Sequence, residues 1–188
     1  EVELDFGSFF RRIGFICQNR EHNNGAWLPR HHHLAAQQMR NFAKHSIPVI
    51  TLIDTPGADA GEEANANNQA HSISHLITEM ANLDVPSLGI IWGAGYSGGA
   101  IPLATANLLL SVRDGIFNTI QPQGLASIAR KYNLSWQECA KFVGVSAYEL
   151  QEIGVIDGII DYAPSDESEK QYNLLKAIVS GIQSIEQG

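Results

Sequence analysis

Basic residues are scarce in this 188-residue chain, with 12 lysines and arginines against 20 acids and a formal charge of −8. A nucleic-acid surface needs clustered cations to neutralise phosphates, and the densest run here, Arg11-Arg12 followed by Arg20, reads as a solvated edge, so no nucleic-acid partner is expected. Cysteine is scarcer still, at two. Cys17 and Cys139 have no short metal-type spacing and sit in apolar sequence, which reads as reduced, buried thiols and excludes a disulfide scaffold. Neither is expected as a nucleophile. No apolar run approaches the ~18 residues of a membrane span, and Glu1-Val2-Glu3-Leu4-Asp5 has neither segment of a secretion signal. A cytoplasmic protein with no membrane partner is expected.

The residues that are present, 44% of them hydrophobic, suffice for one globular domain over 1–188. Short apolar runs at Ile13–Cys17, Val49–Ile53, Leu88–Trp92, Leu108–Val112, Ile116–Ile120 and Val155–Ile160 read as strands. Apolar residues at helical spacing fill His31–Lys44, the stretch from Ala70 to Met80, and a terminal helix over 165–187 carrying Tyr172, Leu174, Leu175, Ile178, Val179 and Ile182. Ser135-x-x-Glu138 and Ser146-x-x-Glu149 are capping boxes that open two short helices. Gln18–Gly25 reads as a polar loop, Asp59–Asn68 as a loop over a site, and Gln121–Gly124 as a turn. Alternating strands and helices, with strands apolar on both faces, give an α/β fold.

Two glycine-rich turns follow successive strands, Asp54-Thr55-Pro56-Gly57-Ala58 and Gly93-Ala94-Gly95-Tyr96-Ser97-Gly98-Gly99-Ala100. Glycine lets the chain turn sharply and lets a substrate carbonyl approach the peptide N–H groups, while a helix opening at Gly98 aims further free donors at the same spot. The pair reads as two halves of an oxyanion hole, needing no ionisable side chain. Gly99 is expected to face a cavity, so that a side chain added there spares the fold.

Other chemistries fit less well. Gly95-Tyr96-Ser97-Gly98-Gly99 also matches the G-x-S-x-G elbow of serine hydrolases, but that fold needs a histidine after the serine, and all seven histidines precede Ser97. Ser97 is therefore expected to cap the helix. His31-His32-His33 cannot all face one ion from a helix and reads as a solvated helix start. His71 and His75 are spaced i, i+4 without the acid of H-E-x-x-H, so no metal site is expected. Asp54 is expected to accept N–H bonds from its own turn.

Four segments, Pro48-Val-Ile-Thr-Leu-Ile-Asp-Thr-Pro-Gly-Ala58, Gly93-Ala-Gly-Tyr-Ser-Gly-Gly-Ala100, Pro122-Gln-Gly-Leu-Ala-Ser-Ile128 and Leu150-Gln-Glu-Ile-Gly-Val-Ile-Asp-Gly-Ile-Ile160, resemble the carboxyltransferase alpha subunit of bacterial acetyl-CoA carboxylase. Their order and spacing agree from about Ile13 to Asp161. The resemblance implies a crotonase-like fold of repeated ββα units. It also implies transfer of a carboxyl group between biotin, carried as carboxybiotin on a biotin carrier protein, and an acyl-CoA, a step of fatty acid biosynthesis. A carboxyltransferase beta-type subunit would complete the active site. Carried over by position, Gly98 and Gly99, with Gly57 and Ala58 opposite, would hold the oxyanion, and Gly95, Tyr96, Gln123 and Gly124 would line the substrate site.

The family usually has acids where this chain has Ala94 and Gln123, and Glu-Glu-Arg-Gly-Gln where it has Asn65-Ala66-Asn67-Asn68-Gln69. Two alternatives follow, a subunit like the malonate decarboxylase gamma subunit and a non-catalytic crotonase-like scaffold. Association into a homo- or hetero-oligomer is expected, with the terminal helix as a contact.

Overall fold

The computed structural model describes residues 1–143, 146–161 and 167–188. Strands β1 (Val2–Asp5) and β2 (Phe10–Cys17) form an antiparallel pair, and β2 leads through a polar loop to helix α1 (Pro29–Lys44). Strand β3 (Val49–Thr55) precedes α2 (Glu62–Ala66) and α3 (Gln69–Ala81), and β4 (Ser87–Tyr96) runs directly into α4 (Ser97–Ala104). The chain continues through β5 (Leu108–Val112), β6 (Ile116–Asn118), α5 (Pro122–Ile128), α6 (Trp136–Val143), α7 (Ala147–Glu152), β7 (Gly158–Ile160) and α8 (Glu167–Gln187). The sheet order is β1-β2-β3-β4-β5-β7, parallel from β2 onward, with β6 paired to the far end of β4.

Alternation along the central strands splits their side chains between two cores. Val49, Ile53, Ile91 and Leu109 point to one side, where Ala36, Met39 and Phe42 of α1, Leu76 and Met80 of α3, and Leu103 of α4 cover them. Ile50, Leu88 and Ile90 point to the other, against Ile178 and Ile182 of α8. Gly14 is a glycine because the Phe42 ring lies where a side chain would begin, and a Cβ on Gly181 would stand 3.2 Å from Leu88 Cδ2. The terminal helix thus closes one face of the sheet with the fully buried Ile178 and Ile182, leaving Tyr172 and Leu175 exposed. Residues 165 and 166 of the helix expected over 165–187 lie outside the described residues.

Several local expectations change. Val2–Asp5 is an edge strand, and the expected loop at 59–68 contains α2, whose Ala64 is fully buried. Gln121–Gly124 is not a turn: Pro122 begins α5, its ring pre-setting φ and its missing N–H costing nothing in the first helical position. Both capping boxes form, Ser135 with Glu138 and Ser146 with Glu149, and these hydrogen bonds hold both carboxyl pKa values below the ordinary range.

Candidate active site

The first turn follows β3. Gly57 has φ 134°, a region that favours glycine. Its amide does not point outward, because it donates to Thr55 Oγ1 at 3.1 Å while the same hydroxyl donates to the Gly57 carbonyl at 2.8 Å. The Gly57 N–H is therefore consumed locally, contrary to the donor role expected of it. The half-buried Ala58 N–H has no hydrogen-bond partner among the described residues.

The second turn joins β4 to α4. Ser97, the first helical residue, has φ 56°, and the cap position is Tyr96 with no side-chain cap bond. Ser97 does not serve as the helix cap expected of it: the cap position is Tyr96, and the Ser97 hydroxyl makes no hydrogen bond to an opening amide of α4 among the described residues. The amides of Ser97, Gly98 and Gly99 open α4 and have no intrahelical acceptor four residues back.

The two turns touch. A Cβ on Gly99 would stand 2.5 Å from Ala58 N and 2.8 Å from the Gly57 carbonyl oxygen. Gly99 is buried against backbone, which corrects the expectation that it faces a cavity. Gln18, 6% exposed, locks the junction: its Nε2 donates to the Gly99 carbonyl at 2.7 Å, and its Oε1 accepts the Asp54 amide at 3.2 Å. Asp54 makes a second link, accepting Arg20 Nε at 2.8 Å and the Ala94 amide at 3.1 Å on one carboxylate oxygen. The carboxylate therefore reaches across to the other turn instead of closing its own, and Arg20 is no solvated edge. A Cβ on Gly93 would lie 2.6 Å from Asp54 Oδ1, so the glycine makes room for the acid.

Beside the junction lies a cleft of about 410 Å3 lined by Arg20, Asn24, Pro56, Tyr96, Gln121, Pro122, Gln123 and Trp136. Tyr96 and Gln123, two of the expected substrate residues, meet there. Gly95 and Gly124 do not: a Cβ on Gly95 would fall 2.8 Å from Phe117 Cδ2, so packing demands a glycine there, and one on Gly124 would stand 3.0 Å from Ile120 Cγ1. The Gln121 side-chain amide donates to the Pro56 carbonyl, fastening the start of α5 to the first turn.

The histidine contacts lie away from Ser97. His32 is fully buried, not solvated: the Ser72 hydroxyl donates to the Gln69 carbonyl at 2.8 Å, so His32 Nδ1, 2.9 Å from that hydroxyl, carries its own proton. Burial is the chief cause that lowers its pKa to about 4, with His31 and His33 adding to it. His75 pairs with Glu79 at 3.3 Å, and Ser97 hydrogen-bonds to none of the histidines among the described residues. Cys17 is exposed rather than buried, at the mouth of a groove of about 340 Å3 that also includes Trp27 and His31. Partial burial raises its pKa, leaving less thiolate.

Comparison with known proteins assigns the fold a family. A family model described as acetyl co-enzyme A carboxylase carboxyltransferase-like matches residues 16–187. The chain belongs to this family. It is 42% identical, over 67% of its own length, to the acetyl-coenzyme A carboxylase carboxyl transferase subunits beta/alpha of Parafrankia sp. (strain EAN1pec), covering 20% of that protein. It is 36% identical over 74% of its length to the carboxyl transferase subunit alpha of Cereibacter sphaeroides (strain ATCC 17029 / ATH 2.4.9), covering 44% of it. The chain thus spans less than half the length of either relative.

Solved structures share the fold. A transcarboxylase 12S structure with methylmalonyl-coenzyme A and methylmalonic acid bound superposes with TM-score 0.80 at 14% identity, covering 92% of this chain and 34% of that one. The beta subunit of the Pseudomonas aeruginosa geranyl-CoA carboxylase gives TM-score 0.74 at 18% identity, covering 98% and 36%. The crotonase-like α/β fold expected from the four segments is the fold of this family member. Among the described residues no helix is long and apolar enough to cross a membrane.

Proposed function

We propose that this chain is a subunit of a biotin-dependent acyl-CoA carboxyltransferase, moving a carboxyl group between carboxybiotin and an acyl-CoA. The observation that carries the reading is the contact of two turns that brings the Ala58 N–H, unpartnered among the described residues, to the start of α4, whose opening amides have no intrahelical acceptor. Such a donor set stabilises an oxygen that gains negative charge, and it asks nothing of an acid, base or nucleophile. Carboxybiotin, when bound, supplies the carboxyl group and a ureido oxygen that becomes more negative as that group leaves. The amides of Ala58, Gly98 and Gly99 suit that oxygen, and Gly57 contributes shape rather than a donor.

The donors are preorganised because Gln18 and Asp54 fix both turns from behind. Preorganisation matters more than donor strength, since donors already oriented need no rearrangement as charge develops. The cleft at Tyr96 and Gln123 admits the reacting groups. A carboxyltransferase beta-type subunit would bring the acyl-CoA half of the site, and a biotin carrier protein would deliver the carboxyl group.

The test is reconstitution. The chain mixed with a beta-type subunit should exchange labelled carboxyl between malonyl-CoA and biotin, and neither component should do so alone. A mixture that forms a stable complex yet transfers no label would refute the reading.

A further inference from the structure

Arg20 is the one residue lining the 410 Å3 cleft that carries a full charge. Its guanidinium is held at two points: Nε donates to Asp54 Oδ1 at 2.8 Å, and Nη1 donates to Asn24 Oδ1 at 3.3 Å. Nη2 has no partner among the described residues. The side chain remains 35% exposed and lines the cleft. With Nε on Asp54 and Nη1 on Asn24, each edge of the planar group already holds one partner, and Nη2, which both edges share, is the donor left for an oxyanion, at little further loss of side-chain freedom.

Asp54 also settles the charge that the cleft accepts. It offsets part of the Arg20 charge, so the cleft carries little net positive potential to repay the cost of desolvating a second charge on a ligand, and a singly charged group is the better match. The other lining groups, Gln121, Gln123, Asn24 and the Tyr96 phenol, are neutral donors and acceptors. Because Asp54 Oδ1 also holds the Ala94 amide, the position of Arg20 is tied to the second glycine turn.

We propose that Arg20, positioned by Asp54, binds the carboxylate of a monoanionic acyl substrate in this cleft. The assignment rests on the carboxyl-transfer reading for its place in a reaction, but not for its binding chemistry. The test is calorimetric titration of the chain with monomethyl malonate, neutral dimethyl malonate and inorganic phosphate at millimolar concentration. The wild type should bind monomethyl malonate in preference to the other two. Arg20→Gln should weaken that binding about tenfold or more, Arg20→Lys should retain part of it, and Arg12→Gln on the distant β2 should change nothing.

Thermal unfolding of each variant shows whether it is folded, and if Arg20→Gln is not, the Arg20→Lys comparison decides. Equal binding by wild type and a folded Arg20 variant, binding of the neutral ester as tight as of the monoester, preference for phosphate, or no binding at all would each overturn the assignment. Arg20-dependent binding in a chain that transfers no carboxyl group with its partner would refute the transfer reading alone. Transfer that persists in Arg20→Gln with unchanged KM for malonyl-CoA would refute the Arg20 assignment alone.

Discussion

Gly99 lies against Ala58 so closely that a Cβ on the former would sit 2.5 Å from the amide nitrogen of the latter. This contact makes the two glycine turns one structure, and it decides what a substitution at Gly99 does. Gly99→Ala must push the turns apart or shift α4, an overpacking cost of about 1–3 kcal/mol. For a chain of this size that lowers Tm by roughly 2–4 °C per kcal/mol. Thermal unfolding checks it, and carboxyl transfer should fall with it, because the donors move. An unchanged Tm would mean that the turns are not in contact.

Gln18 should matter as much, although it lies outside both turns. Gln18→Leu keeps the volume but leaves the Asp54 amide unpaired, at roughly 1–3 kcal/mol, and removes the side-chain donor from the Gly99 carbonyl. Urea unfolding should show the loss. Carboxyl transfer by any folded fraction should fall further than stability explains, since the turns lose their common clamp.

Ser97 separates an oxyanion site from a serine nucleophile. Its side chain makes no cap bond, so Ser97→Ala should change stability by no more than about 0.5 kcal/mol. It should leave most of the transfer activity, and a fluorophosphonate should label neither protein. Stoichiometric labelling of the wild type at Ser97 would show a nucleophile.

His32 gives the fold a defined acid sensitivity. Its folded pKa of about 4 lies below the ordinary value of 6.5, so the unfolded chain takes up a proton that the folded chain refuses. The fold keeps its full stability above about pH 6.5 and loses it as pH falls toward 4, by roughly 3 kcal/mol in total. Urea unfolding across that window should show the slope in the wild type. His32→Phe should remove this component, leaving a flatter curve.

The central strands are readable because Val49–Ile53 and Leu88–Trp92 hold no polar residue except Thr51, as suits strands covered on both faces. Val2–Asp5 is not, because Glu3 and Asp5 alternate with Val2 and Leu4 in a segment too short to distinguish from a polar terminus, and its pairing with β2 is a tertiary fact. The glycine turns showed where a site could lie. Their donor was harder to find, since the Thr55 hydroxyl that consumes the Gly57 amide is an ordinary side chain until its rotamer is known.

Gln18 and Arg20 sit in a polar stretch that reads as a loop, and Arg20 meets Asp54 34 positions away. One signal was available for Gln18, its place immediately after an apolar strand, where a buried amide can satisfy strand-end backbone groups. For α5 the signal was Pro122 itself, which fits a first helical turn as well as a loop.

The claim that backbone amides of the joined turns meet the substrate oxygen is tested most directly at those amides. Two-dimensional 15N–1H spectra of the labelled chain should be recorded with its beta-type partner as biotin is added. The resonances of Ala58, Gly98 and Gly99 should shift together with one saturation curve, while Gly57, whose amide is held by Thr55, and Leu109, deep in the sheet, should move far less. Shifts confined to the groove at Cys17 and His31, with Ala58 and Gly98 unmoved at saturation, would contradict the account.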